Sequence, residues 1–167
     1  ATRRFAQLDA QRLNRRCLSY VPEMWNKLRG GTRLQADVRD QILIGNDAAK
    51  APLGLMPIYF GQRHMLNPGN KYSHLGISNG CLGSLIGTYP ATDLHMPYTG
   101  AEDSVLPEYM LFFLDVPGDG FVMGDLPPNV FPLKVSFSQM AVKGFPSPVA
   151  VKYFACRPTN GTFHKYQ

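Results

Sequence analysis

Glycine and proline punctuate this chain from end to end, with 16 glycines and 14 prolines in 167 residues. An interior glycine costs a helix roughly 1 kcal/mol and an interior proline about 3 kcal/mol, so long helices have little room here. Short strands joined by tight turns fit such a chain far better. Four clusters carry turn chemistry: Asn67-Pro68-Gly69-Asn70, Asn79-Gly80, Pro117-Gly118-Asp119-Gly120 and Leu126-Pro127-Pro128-Asn129. Between them the runs at 42–44, 56–60, 85–87, 109–114, 130–137 and 150–156 are predicted as strands. Only the start departs from this pattern. Ala10, Leu13, Cys17 and Val21 recur every three or four residues, which predicts a helix over 5–21 with Gln11, Arg12, Arg15 and Arg16 on its other face. Gly30-Gly31 marks a loop.

The chain is 44% hydrophobic and 17% charged, enough apolar material for a core and unlike a disordered composition. The longest apolar run, Tyr109 to Leu114, is far shorter than the roughly 20 residues of a membrane span, so no membrane partner is expected. No secretory signal is visible, and Cys17, Cys81 and Cys156 are odd in number and far apart. These features fit a reducing, intracellular compartment rather than a secreted disulfide framework. No Gly-Lys pair occurs, so the chain holds no phosphate-binding P-loop. His64, His74, His95 and His164 are not at metal-ligand spacing. Gly118, Gly120 and Gly124 follow an apolar run as in a dinucleotide site, but the second spacing is one residue too long and Pro127-Pro128 blocks a following helix. That stretch is predicted as a hairpin loop.

The net charge of +5 is unevenly spread. Residues 1–40 carry net +5, residues 91–130 net −7 with no cation at all, and residues 131–167 net +5 with no acid. Two basic ends that meet in the fold would form one surface attractive to phosphate backbones. A solvated basic face without a partner is the plainer alternative.

Several segments then follow one another in a recognisable order. Pro52-Leu53-Gly54-Leu55-Met56-Pro57-Ile58 leads to Gly61-Gln62-Arg63-His64-Met65, then to Leu75-Gly76-Ile77-Ser78-Asn79-Gly80-Cys81-Leu82-Gly83. Leu106-Pro107-Glu108-Tyr109 with Asp115 comes next, followed by Gly124-Asp125-Leu126-Pro127-Pro128-Asn129-Val130-Phe131-Pro132-Leu133. The chain ends Thr162-Phe163-His164-Lys165-Tyr166-Gln167. This series resembles 5′-to-3′ DNA helicases of the Pif type, superfamily 1 enzymes with relatives in Helitron transposons. The last segment is similar to their motif V, and Thr2-Arg3-Arg4 more loosely to their motif IV region. His64 departs from the family pattern, which has an apolar residue there, and so does the polar run Arg157-Pro158-Thr159-Asn160-Gly161 before Thr162.

The resemblance implies an α/β chain with a mostly β insertion: residues 1–40 and 149–167 as parts of a RecA-like domain 2A, residues 41–148 as an inserted SH3-like small β-barrel, 2B. Asn79-Gly80 suits the tight turn of that module and Gly83 a bulge at its next strand. It implies a C-terminal fragment of an ATP-dependent helicase that moves along single-stranded DNA, with a nuclear location, roles in DNA repair and recombination, and a RecA-like domain 1 elsewhere in the parent enzyme. ATP and Mg²⁺ would be held there, since motifs I to III and VI are absent from this chain. By the same resemblance Thr162, His164 and Lys165 would contact nucleic acid, Gln167 would face ATP, and Arg3 or Arg4 would sense the γ-phosphate. For each, a solvated terminal side chain is the alternative. Tyr59, Phe60, Tyr72 and Tyr89 are candidate base-stacking residues or barrel core, with Phe60 read as core and Trp25 as helix-end packing. Two other classes remain open: a non-catalytic nucleic-acid-binding module, and an interaction domain whose acidic stretch, with Asp115, Asp119 and Asp125, docks a basic partner.

Overall fold

The computed structural model describes residues 2–21, 23–26, 32–34, 56–116, 119–140 and 148–159. The described chain is mostly β. One helix, α1 (Thr2–Arg12), precedes β1 (Cys17–Val21), β2 (Glu23–Asn26), β3 (Thr32–Arg33) and β4 (Met56–Ile58). After them come β5 (Arg63–Leu66), β6 (Cys81–Tyr89), β7 (Ala101–Val105) and β8 (Tyr109–Leu114). The last four are β9 (Val130–Lys134), β10 (Ser136–Met140), β11 (Val149–Tyr153) and β12 (Cys156–Pro158).

The strands form three open sheets, in the orders β4-β1-β7, β10-β11-β2-β3 and β12-β5-β6-β8-β9. All pairings are antiparallel except β1 with β7. Strict alternation drives the largest sheet. On β8, Met110, Phe112 and Leu114 point inward and are buried, while Tyr109, Leu111 and Phe113 point outward. Leu66, Leu85, Phe131 and Leu133 from the neighbouring strands close the same core. Each such side chain contributes roughly 1.5–3 kcal/mol by leaving water. The predicted strands at 85–87 and 109–114 fall within β6 and β8, and 56–60 is a strand only as far as Ile58. Those at 130–137 and 150–156 are corrected. The first breaks at Val135 into β9 and β10 and the second at Phe154-Ala155 into β11 and β12, with the two halves of each drawn into different sheets. The run at 42–44 lies outside the described residues.

The predicted helix over 5–21 is corrected. It ends at Arg12, and Asn14 adopts a left-handed conformation with φ 51° that turns the chain out of it. Cys17–Val21 is a strand, flanked by β4 on one side and β7 on the other. Ala6 and Ala10 pack the helix onto this sheet beside Cys17 and Tyr59. Arg15 and Arg16 are therefore not on a helical solvent face. Arg15 donates from Nη1 to the Phe60 carbonyl at 2.6 Å, and its guanidinium sits 5.8 Å from the Phe60 ring centroid. Gly61, at φ 83°, leaves the space this arginine uses: a Cβ there would lie 2.6 Å from Arg15 Nη1.

The predicted bulge at Gly83 is also corrected. Gly83 pairs regularly with His64 and Leu114, and the register shift comes later, between Leu85 and Gly87. Gly83 is needed for close approach instead: a Cβ there would stand 2.7 Å from Leu114 Cδ2 and 3.0 Å from the Phe113 carbonyl oxygen. The stretch 115–129 joins β8 to its antiparallel neighbour β9, with no helix among its described residues, as a hairpin loop requires.

Candidate nucleic-acid interface

Thr162, His164, Lys165 and Gln167 lie outside the described residues. Arg3 and Arg4 lie on α1, in its first turn. The interface is therefore built from what the described sheets expose.

Two acids of the acidic stretch, Glu102 and Asp115, are ion-paired within the chain. Arg16 donates from Nε to Glu102 Oε2 at 2.8 Å and from Nη1 to the Asp93 carbonyl at 2.8 Å, tying β1 to β7 and its preceding loop. The Arg16 guanidinium holds the Glu102 carboxyl below its ordinary pKa. Arg63 on β5 forms a two-pronged pair with Asp115, just past β8, and also donates to Ser84 Oγ at 3.0 Å. Arg63 likewise holds the Asp115 carboxyl low. Asp115 is thus engaged within the chain, which removes one of the three acids a basic partner was expected to meet. Asp119 and Asp125 are exposed.

Three of the four aromatic candidates take the core alternative, Phe60 among them. Tyr59 is buried against α1, and Tyr72 packs edge-on to Phe131 with ring centroids 5.2 Å apart. Phe60 is half-buried between Arg15 and His95. Tyr89 alone of the four is open, 59% exposed, with Tyr109 6.3 Å away and Lys134 next across the sheet. The aromatic pair that sequence reasoning missed is Trp25 with Phe137. Trp25 is no helix-end residue but sits on β2, and the register places it on one face of its sheet with Phe137, Lys152, Glu23 and Arg33. Phe137 is 66% exposed, its ring 6.0 Å from that of Trp25 and 5.8 Å from Lys152 Nζ. No local signal marks this: the four residues of β2 are too short to show a period.

Two features resemble catalytic parts and are not. Gly76-Ile77-Ser78-Asn79-Gly80 has the Gly-x-Ser-x-Gly spacing of a hydrolase nucleophile. That motif needs a strand before and a helix after, whereas Ser78 is an exposed loop residue after a single 3₁₀ turn (Ser73–Leu75) and before β6. His64 is a core residue. It takes the inward position on β5 that the family pattern fills with an apolar side chain, edge-on to Phe112 at 5.3 Å. Gln62 donates from Nε2 to the Pro57 carbonyl at 3.2 Å and accepts from His64 Nε2 at 2.9 Å, which sets the proton on Nε2. Burial pushes the imidazole pKa down to about 3. Among the described residues no group of three or more His, Cys, Asp or Glu is placed to hold a metal, and no helix is long and apolar enough to cross a membrane.

No protein-family model matches the chain, and no curated protein does. Among solved structures, the Pif1 helicase from Candida albicans aligns over 92% of this chain with a TM-score of 0.46 and 13% identity. The aligned part is 32% of that helicase chain, so this sequence spans about a third of its length. A likeness of that degree decides neither family nor activity.

Proposed function

We propose that this chain is the part of a Pif-type, Helitron-related DNA helicase in which an SH3-like 2B module interrupts RecA-like domain 2A. Its task in this reading is to hold single-stranded DNA while ATP is bound and hydrolysed elsewhere in the parent enzyme. The observation that carries the reading is a circuit of strands. β9 runs into β10 through Val135 alone, β10 pairs with β11, and β11 runs into β12 through Phe154 and Ala155. β12 then pairs with β5, which leads through β6 and β8 back to β9. β5, β6, β8, β9-β10 and β11-β12 thus neighbour one another in sequence order, with only β7 leaving for another sheet, which supports a small SH3-like barrel. The segments that carry the resemblance fall at its joints: Asn79-Gly80 at the turn into β6, 106–115 across β8, and 124–133 across the entry to β9.

The bounds drawn from the sequence, 1–40 and 149–167 in 2A and 41–148 in 2B, would then shift, because β11 and β12 belong to the circuit and 2B would extend to Pro158. Thr162, His164 and Lys165 would touch the strand, Gln167 the ATP side, and Arg3 or Arg4 the γ-phosphate. ATP and Mg²⁺ would sit with the RecA-like domain 1 of the parent, and the nucleus would be the place of work. One observation favours a second reading, a non-catalytic binding module. The residues shortly before Thr162 pair as an edge strand on β5, Arg157 opposite Met65 and Pro158 opposite His64. Motif V would then not enter a RecA-like sheet.

Sequencing the transcript through both ends of this segment separates the two. A P-loop in frame before Ala1 and a Gln-Gly continuation with an arginine motif after Gln167 is the expected result. The chain by itself should hydrolyse no ATP, because it has no P-loop lysine. A transcript without those motifs, or turnover by the isolated chain that one of its own residues abolishes, contradicts the motor reading.

A further inference from the structure

We infer that the exposed face of the β10-β11-β2-β3 sheet is a base-stacking site for single-stranded nucleic acid, centred on Trp25 and Phe137; the inference rests on the nucleic-acid reading above. The two rings meet at a 37° tilt with centroids 6.0 Å apart, so neither covers the other's face. Phe137 stays 66% exposed despite its contacts with Trp25 and Lys152, so most of its ring is left uncovered by the described fold.

The flanking charges select the occupant. Lys152 stands 5.8 Å from the Phe137 ring and 3.8 Å from Glu23. Arg33 lies 3.9 Å from the same carboxylate and its side chain is 60% exposed. One carboxylate therefore serves two cations, both at the loose end of ion-pair distance, and the face keeps a net positive charge. β10 and β11 also belong to the segment 131–167, which contains no acidic residue. Aromatic faces bordered by cations suit a flexible polyanion whose bases stack while its phosphates meet Lys152 and Arg33. An apolar protein partner would have to bury two cations that share a single carboxylate. The Tyr89–Tyr109 pair is the weaker candidate, because exposed Glu108 adjoins it.

Trp25 is the only tryptophan of the chain, so its emission reports on this face directly. The full chain is titrated with fluorescein-labelled oligo(dT), followed by anisotropy, and with unlabelled oligo(dT), followed by Trp25 fluorescence. Quenching of Trp25 that tracks the anisotropy isotherm is expected. Phe137→Ala should bind about tenfold more weakly, and Lys152→Gln should lower the log–log salt slope by about 0.7. Both positions lie on an exposed sheet face, and circular dichroism verifies that the variants stay folded. Binding by anisotropy with unchanged Trp25 emission and wild-type affinity for Phe137→Ala overturns this site while leaving the nucleic-acid reading intact. A blue shift of Trp25 with protein concentration alone assigns the face to a second copy and overturns it too. Absence of binding at low salt overturns both the site and the reading.

Discussion

Lowering the pH from about 7.5 to about 5 should cost the folded chain roughly 2 kcal/mol through His64 alone. In the unfolded chain this imidazole titrates near its ordinary value of 6.5, and in the fold burial depresses it to about 3. Below 6.5 the unfolded state takes up a proton that the folded state refuses. Stability is therefore full above the unfolded pKa, falls as the pH drops toward the folded one, and levels off below it. The physical cause is the environment: His64 is fully buried beside Phe112, with Gln62 as its hydrogen-bond partner, and charging the ring would strand an ion there. Urea denaturation across this pH range measures the slope. His64→Leu should abolish it, even though at neutral pH the variant leaves Gln62 Oε1 without its donor, a loss of about 1–3 kcal/mol. A wild-type stability that is flat over the range contradicts the buried neutral imidazole. The window stays above the range where the depressed carboxyls of Glu102 and Asp115 add their own acid sensitivity.

Gly83→Val should destabilise the chain by about 1–3 kcal/mol or more. A Cβ would meet Leu114 Cδ2 at 2.7 Å, the Phe113 carbonyl oxygen at 3.0 Å and Phe112 Cβ at 3.4 Å. Leu114 is itself buried and has little freedom to turn away. The carbonyl oxygen belongs to the β8 backbone and cannot retreat without parting β6 from β8 at the centre of the largest sheet. Gly87 on the same strand is the control. A Cβ there would touch only Leu111 Cδ1, at an ordinary 3.7 Å, so Gly87→Ala should be neutral or gain about 0.5 kcal/mol from the stiffer unfolded chain. Thermal melts of the two variants side by side test the contrast, and equal effects would contradict it.

What could be read from the sequence is what local pattern controls. β8 alternates cleanly from Tyr109 to Leu114, and Asn79-Gly80 sits where the chain must turn, with Gly80 at φ 92°. The misreadings arise where distant pairing decides. Ala10, Leu13, Cys17 and Val21 fit a helical period, yet Cys17–Val21 is drawn into a sheet by β4 and β7, partners remote in sequence. β7, Ala-Glu-Asp-Ser-Val, has no strand signature of its own and exists because β1 supplies its ladder. Gly83 read as a bulge because a glycine in a strand signals either a bulge or a close approach, and only the neighbouring strand tells which. The Trp25–Phe137 face was hidden for the same reason: β11 lies between the two residues' strands and creates their proximity. The site residues implied by the resemblance, 162–167, gain nothing from the described fold.

The central claim is that this chain grips single strands through their phosphates, and the salt dependence of oligo(dT) binding tests it most directly. Anisotropy titrations of the full chain at about 50 mM and about 200 mM salt should show affinity falling roughly ten- to a hundredfold, as three or four released counterions require. Affinity indifferent to salt, or no binding at the lower concentration, would contradict the account.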